Sequence, residues 1–150
     1  MVEIGTKIDD FTLKNEADQE ISLKDFAGKK VVVYFYPKDN TPGCTKEACS
    51  FRDSYDAILK RGAVVLGISA DSVKSHGNFK QKFDLPFHLL SDPEKQVIKT
   101  FGAWGEKKMY GKSYEGILRS TFILDGEGKV IKVFPKVKPG EHAEEILKEL

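Results

Sequence analysis

Residues 36–49 of the chain read Tyr36-Pro37-Lys38-Asp39-Asn40-Thr41-Pro42-Gly43-Cys44-Thr45-Lys46-Glu47-Ala48-Cys49. The apolar run before them, from Val31 to Tyr36, is typical of a strand covered on both faces, and helically spaced apolar residues follow. Cys44 therefore lies where a loop becomes a helix. The helix dipole and unpaired backbone N–H groups favour a thiolate at such a position. Cys49 follows five residues later, so one thiol is expected to react and the other to resolve the product.

The rest of the chain alternates between strand and helix signals on both sides of this segment. We expect an N-terminal hairpin of Phe11–Leu13 and Glu20–Ser22, followed by a helical turn at Leu23–Phe26. Strands are expected at Val31–Tyr36, Ala63–Ile68, Phe87–Leu90, Leu118–Leu124 and Val130–Phe134. Four helices are expected: one that ends at Gly62, one capped by Asp71 or Ser72, one that starts at Asp92-Pro93-Glu94 and one that starts near Pro139.

This order predicts an α/β protein with a thioredoxin-like fold, in which a central mixed β-sheet is flanked by helices and carries an N-terminal β-hairpin extension. Residues 1–150 are expected to form one such domain. The Gly-flanked stretch that contains Trp104, Met109 and Tyr110 could form a wall of the site or contact a partner, but ordinary loop packing is the favoured interpretation.

Composition and charge argue against a nucleic-acid-binding, membrane or secreted protein. The 24 basic and 23 acidic side chains give a net charge of +1 and form no block of one sign, so neither nucleic acid nor a membrane is expected as a partner. The first ten residues do not resemble a signal peptide, and no apolar run approaches the length of a membrane span. We therefore expect a cytoplasmic protein, in a compartment where a cysteine pair is more often functional than structural.

Three other interpretations of the cysteine pair stay open at this point. The thiols could be small buried apolar groups. They could bind a metal, although structural zinc needs four ligands and His76, His88 and His142 show no ligand spacing. They could form a thioredoxin-type redox motif, but that motif has two intervening residues and this one has four. No metal and no cofactor is expected.

The spacing of Cys44 and Cys49 also has a mechanical consequence. Five residues along an ideal helix rise about 7.5 Å, which separates the two Cα atoms by about 8–9 Å. A disulfide requires Cα atoms within about 7 Å of each other. If the two thiols form a bridge, the first turns of the helix must unwind, so we predict a helical reduced form and a locally unfolded oxidised form.

The pattern Pro37-x-x-x-Thr41-x-x-Cys44 after an apolar strand resembles the active-site signature of peroxiredoxins. The longer run 35–49 resembles the bacterioferritin comigratory protein or peroxiredoxin Q branch of that family, and the similarity covers nearly the whole chain. Further similar stretches are Gly5–Leu13, Ile68–Ser72, Leu89–Pro93 and Tyr110–Phe122.

The resemblance implies a role for each residue of the pattern. Cys44 would be the peroxidatic nucleophile, oxidised by peroxide to a sulfenic acid, and Cys49 would resolve it as an intramolecular disulfide. Thr41 would donate its hydroxyl to the thiolate and the peroxide, Pro37 would shield the site from water, and Arg119 would stabilise the thiolate and hold the peroxide.

Two further residues would support these groups. Glu47 would orient the arginine, and Gly43 would allow close approach of a peroxide to the backbone N–H groups at the helix start, which are further hydrogen-bond donors.

The implied function is that of an atypical 2-Cys thiol peroxidase in antioxidant defence. Its substrates would be hydrogen peroxide and organic hydroperoxides, its reductant thioredoxin or a similar dithiol protein, and its expected state a monomer. Two alternatives remain, a general disulfide oxidoreductase and a non-enzymatic redox sensor whose binding surface changes on oxidation.

Overall fold

The computed structural model describes residues 1–150 and contains nine strands. The strands are Thr12–Lys14 (β1), Glu20–Ser22 (β2), Lys30–Phe35 (β3), Ala63–Ser69 (β4), His88–Ser91 (β5), Trp104–Met109 (β6), Lys112–Ile117 (β7), Ser120–Leu124 (β8) and Val130–Phe134 (β9). Seven of them form one sheet in the order β2-β1-β5-β4-β3-β8-β9, and β6 and β7 form a separate two-stranded sheet. The helices are Pro42–Lys60 (α1), Val73–Phe83 (α2), Gln96–Thr100 (α3) and His142–Lys148 (α4), and Leu23–Phe26 forms a 3-10 turn.

Strand β3 lies inside the main sheet, between β4 and β8, and is buried on both faces. It runs parallel to β4 and antiparallel to β8, which confirms the expected mixed sheet. Because side chains alternate along a strand, Val33 and Phe35 enter one hydrophobic core with residues of α3, whereas Val32 and Tyr34 enter a second core with residues of α1, α2 and α4. The continuous apolar run of β3 thus serves two layers of helices.

A glycine in β4 makes room for an aromatic cluster in the second core. A side chain at Gly67 would meet the ring and hydroxyl of Tyr34 at 2.8 Å, closer than a real Cβ contact. The Tyr34 ring packs against the ring of Phe51 in α1, and the two ring centroids are 4.8 Å apart. The absent Cβ at Gly67 therefore lets Tyr34 lie flat between the sheet and the helix that carries both cysteines.

The main departure from the expected elements is the hairpin of β6 and β7, which was interpreted as a loop. Its strands pair in register from Trp104 opposite Ile117 to Met109 opposite Lys112, around a turn with positive φ at Tyr110. Most of its side chains are exposed, so the hairpin lacks the run of buried apolar positions by which strands are recognised in a sequence.

Two helices begin later than expected. Lys95 adopts a left-handed conformation, which separates Asp92 from the helix, and α3 starts at Gln96. The Asp92 carboxylate still accepts hydrogen bonds from the backbone N–H groups of Gln96 and Ile98. The C-terminal helix starts at His142 and not near Pro139, because Pro139 lies in a turn.

The strand expected to start at Leu118 begins at Ser120. None of the helices combines the length and the apolar content needed to cross a membrane.

Helix α4 is tied to the sheet by a fully buried histidine. His142 Nε2 lies 2.6 Å from Thr121 Oγ1 in β8, and its Nδ1 has no hydrogen-bond partner. Burial, together with the nearby positive charge of Arg119, lowers the pKa of His142 to about 4. The imidazole is therefore neutral in the folded protein near pH 7.

Acidification is expected to destabilise the protein through His142. Between its ordinary pKa of 6.5 and its folded pKa of about 4, the unfolded chain binds a proton that the folded protein does not. The stabilisation is fully present above pH 6.5 and is lost as the pH falls to 4, up to about 3 kcal/mol. Urea unfolding of the wild type and His142→Gln between pH 7 and pH 4 measures this loss.

Glutamine keeps a donor for Thr121 but does not titrate. The free-energy advantage of the wild type over His142→Gln should therefore shrink as the pH falls, and the other titrating groups cancel in the difference. A difference that stayed constant across this range would contradict the assignment.

Candidate active site

Cys44 is the third residue of α1 and is almost fully buried, in the second core beside Ala48 and Phe51. Strand β3 ends at Phe35 and α1 begins at Pro42, so the helix starts near the carboxyl end of β3. Thr41 precedes the helix in an extended conformation, and Pro42 at the first helical position favours the start. The thiol expected at a helix N-terminus is thus found there.

Arg119 reaches Cys44 from the start of β8, 75 residues away in sequence. Its Nη2 lies 3.2 Å from Cys44 Sγ, and its Nη1 donates a 2.7 Å hydrogen bond to Glu47 Oε1. The antiparallel register places Phe35 opposite Ser120, which brings the residue before Ser120 to the end of β3 where α1 begins. One guanidinium therefore bridges the thiol and the carboxylate.

Glu47 lies one helical turn after Cys44 and is fully buried. Burial raises the pKa of Glu47, and although the charge and hydrogen bond of Arg119 oppose this rise, the pKa is about 7. Its second oxygen, Oε2, has no hydrogen-bond partner. Glu47 and Arg119 therefore form an ion pair that is shielded from solvent, and the hydrogen bond to the carboxylate fixes the orientation of the guanidinium.

The guanidinium keeps its charge in this environment. Burial opposes the charge of Arg119, but the carboxylate of Glu47 and the thiol of Cys44 raise the pKa of Arg119 above its ordinary value. Gly43 permits the approach, since a Cβ there would lie 3.3 Å from Nη2 of Arg119.

Thr41 and Pro37 border this centre in the loop between β3 and α1, and both are half-buried. The Thr41 hydroxyl donates a 2.8 Å hydrogen bond to the Lys38 carbonyl and makes no capping hydrogen bond to the helix. Its oxygen therefore remains available as an acceptor.

Cys49 lies further along the same unbroken helix and is half-buried. Both cysteines are free thiols. The structure thus brings Cys44, Arg119 and Glu47 into contact and leaves Cys49 without a contact to Cys44.

A second polar cluster next to this loop was not found from the sequence. Asp39 is buried, and its carboxylate lies 2.7 Å from Nδ1 of the fully buried His76. Asp71 accepts a hydrogen bond from the Asp39 backbone N–H. No local pattern marks such a cluster, because Asp39 is more than thirty residues away from Asp71 and His76 along the chain.

This cluster has the residue types of a metal site. Ligand atoms of Asp39, Asp71 and His76 all lie within 4.8 Å of one another. However, hydrogen-bond donors already occupy the oxygens concerned, with Ser75 and His76 on Asp39 Oδ2 and Ser69 on Asp71 Oδ2. A cation would have to displace these donors, so the cluster fits a hydrogen-bonded network better than a metal centre.

Comparison with known proteins gives consistent matches. Residues 4–133 match the model of the AhpC/TSA family. The chain is 49% identical to a peroxiredoxin Bcp of Bacillus subtilis over 149 residues, which cover 99% of this chain and 95% of the relative.

Two solved structures are also similar. The bacterioferritin comigratory protein of Xanthomonas campestris superposes with a TM-score of 0.88 at 42% identity, covering 93% of this chain and 88% of that one. A cysteine mutant of the peroxiredoxin Q of Xylella fastidiosa gives a TM-score of 0.94 at 35% identity, covering 99% and 95%. The expected thioredoxin-like fold is thereby confirmed.

A thiol at a helix start, an arginine directed at it and these matches over nearly the whole chain lead to one conclusion. The protein belongs to the AhpC/TSA family and is a peroxiredoxin, a thiol peroxidase, of the bacterioferritin comigratory protein or peroxiredoxin Q group.

Proposed function

We propose that Cys44 is the peroxidatic residue and that Cys49 resolves its oxidised form. The observation that carries the proposal is the 3.2 Å contact between Arg119 Nη2 and Cys44 Sγ at the first turn of α1. A guanidinium and a helix N-terminus both stabilise a thiolate, which is the nucleophilic form of cysteine. Cys49 has no comparable cationic partner at hydrogen-bond distance.

In the first step, the Cys44 thiolate attacks one oxygen of the peroxide. A sulfur–oxygen bond forms as the oxygen–oxygen bond breaks, and the leaving oxygen takes a proton to become water or an alcohol. Charge builds on that oxygen, so donors that already point into the site lower the barrier. Arg119 and the backbone N–H groups of Gly43 and Cys44 are the proposed donors.

Thr41 and Pro37 are proposed to orient the peroxide and to exclude water. Because the Thr41 proton is directed at the Lys38 carbonyl, the Thr41 oxygen is suited to accept the O–H of the peroxide. Donation to the thiolate, the role expected from the family pattern, would require the hydroxyl to rotate. Glu47 keeps Arg119 in place and prevents it from swinging into solvent.

In the second step, the Cys49 sulfur attacks the Cys44 sulfenic acid. A disulfide forms, the sulfur–oxygen bond breaks, and the hydroxyl leaves as water with the Cys49 proton. A dithiol protein, thioredoxin or a similar reductant, then restores both thiols by exchange.

The substrates we propose are hydrogen peroxide and organic hydroperoxides. The description of the Xanthomonas campestris relative names alkyl peroxide reduction, which supports the organic substrates by similarity. We further propose that the protein acts as a monomer in the cytoplasm, in antioxidant defence.

The cysteine roles predict distinct products after one equivalent of peroxide. Wild-type protein should lose about two mass units as the disulfide forms, whereas Cys49→Ser should gain about sixteen as the sulfenic acid persists. Cys44→Ser should consume no peroxide with a dithiol reductant. Intact-protein mass spectrometry and a peroxide assay measure both, and a Cys44→Ser protein as active as the wild type would refute the proposal.

Disulfide formation should unwind the start of α1. The hydrogen bond from Thr45 N to Thr41 O and its successors should break, so amide hydrogen exchange should increase over residues 45–49 in the oxidised protein. Residues 55–60 of the same helix serve as an internal control and should stay protected. Equal exchange and equal circular dichroism in both redox states would contradict this prediction.

Removal of the guanidinium should slow the reaction with peroxide. Arg119→Met should lower the second-order rate constant by about 100-fold or more, because one fixed charged donor is lost. The rate constant of Arg119→Lys should lie between those of the wild type and Arg119→Met, because an ammonium group keeps the charge but lacks the planar guanidinium that contacts both Cys44 and Glu47. Arg61→Met is the matched control, since Arg61 lies at the other end of α1, and an equal effect there would contradict the role of Arg119.

A further inference from the structure

The loop that carries Pro37 and Thr41 is fixed by one buried side chain, that of Asp39. Its Oδ1 accepts a hydrogen bond from the Tyr36 hydroxyl at 2.5 Å, and its Oδ2 accepts one from Ser75 Oγ at 2.8 Å. Its backbone N–H donates to Asp71 at 2.8 Å. The middle of the loop is therefore attached to structure outside the loop, whereas its neighbour Asn40 is exposed and has a left-handed conformation.

His76 connects this carboxylate to the sheet. It lies in α2 with no exposed surface, its Nδ1 is 2.7 Å from Asp39 Oδ2, and its Nε2 is 3.0 Å from the Leu90 carbonyl of β5. One imidazole thus joins the loop, a helix and a strand. Neither ring nitrogen contacts Cys44 or Arg119, so the chemistry described above makes no use of His76.

The hydrogen-bond partners of His76 and Asp39 show how this network holds the loop. A carbonyl oxygen only accepts, so Nε2 of His76 carries a proton. The Asp39 carboxyl group faces three polar neighbours, the Tyr36 hydroxyl, the Ser75 hydroxyl and Nδ1 of His76. These short contacts between buried groups hold the loop in one position, because a buried polar group that loses its partner is costly.

We propose that Asp39 and His76 are positioning residues for the peroxide reaction. They hold the loop between β3 and α1 against α2 and β5, which fixes Thr41 and the first turn of α1 relative to Cys44. They also set the upstream limit of unwinding, so that when Cys49 approaches Cys44 the chain opens after Asn40 while Asp39 stays attached. This proposal rests on Cys44 being the peroxidatic residue.

Two variants of His76 separate its two contacts. The amide nitrogen of asparagine can occupy the place of Nδ1 and keep the bond to Asp39, whereas that of glutamine can occupy the place of Nε2 and keep only the bond to Leu90. His76→Gln should lower the rate constant for peroxide by about 10- to 100-fold, because small misplacements of reacting groups are costly. His76→Asn should stay within about threefold of the wild type.

Urea unfolding of both variants gives their stabilities, so that loss of stability is distinguished from loss of positioning. Hydrogen exchange adds a second readout at the Asp39 amide, which donates to Asp71. This amide should lose protection in the oxidised His76→Gln protein and keep it in the oxidised wild type. Equal rate constants for the two variants, or rate losses that follow their stabilities, would overturn the proposal.

A second pair of variants tests the same network without altering the histidine. Ser75→Ala removes a hydrogen bond to Asp39, and Ser72→Ala removes the cap of α2, which accepts from the Ser75 backbone N–H. Ser75→Ala should lower the rate constant about threefold, and Ser72→Ala should leave it unchanged. Equal rate constants for Ser75→Ala and wild type would overturn the proposal.

The outcome for Cys44→Ser keeps the two hypotheses distinct. If that variant still consumes peroxide, the proposed function fails. If it is inactive while His76→Gln and His76→Asn react alike, only the positioning role fails.

Discussion

The antiparallel register between β3 and β8 is the constraint on which the site depends. Strand β3 delivers the chain to the start of α1, and β8 begins beside the point where β3 ends, with Ser120 opposite Phe35. The residue before Ser120 therefore lies next to the first turn of α1. A register shift of one residue would turn the alternating side chains of β8 to opposite faces and would separate Arg119 from Cys44.

The electrostatics of the site follow from this placement. Cys44 and Glu47 are buried, and Arg119 is the cation that contacts both. A buried carboxylate is costly without a partner, and the pKa of Glu47, raised to about 7, reflects that cost. The carboxylate in turn fixes one end of the guanidinium fork, which leaves the other end directed at the sulfur. In the proposed mechanism, stability and reactivity therefore depend on one set of contacts.

The same segment must also change shape if Cys49 is to reach Cys44. A helix favours the thiolate but keeps the two sulfur atoms apart, and an opened helix has the reverse properties. In the proposed mechanism, the loop before the helix is therefore the boundary between a part that opens and a part that stays folded. The buried contacts of Asp39 lie on the folded side of this boundary, and the left-handed Asn40 follows directly.

Strong local signals allowed most of the fold to be predicted. The apolar run of β3, the glycine after α1 and the turn between β8 and β9 each appear within a few residues of sequence, and their elements were found at the expected places. The hairpin of β6 and β7 was missed because its strands are mostly exposed and polar. The start of α3 was placed too early because Asp92 still binds backbone N–H groups of the helix, although Lys95 interrupts it.

By itself, the sequence determined the α/β order, the cysteine at a helix start and the spacing that separates Cys49 from Cys44 while the helix is intact. Each of these features depends on residues that are neighbours in the chain. Only the tertiary structure decided that Arg119 contacts Cys44 and Glu47, and that Asp39 is buried against His76. The physical reason is that hydrogen bonds and charges act over a few ångströms in space, whatever the separation along the chain. Such contacts are therefore settled by strand register and helix packing, which no single segment encodes.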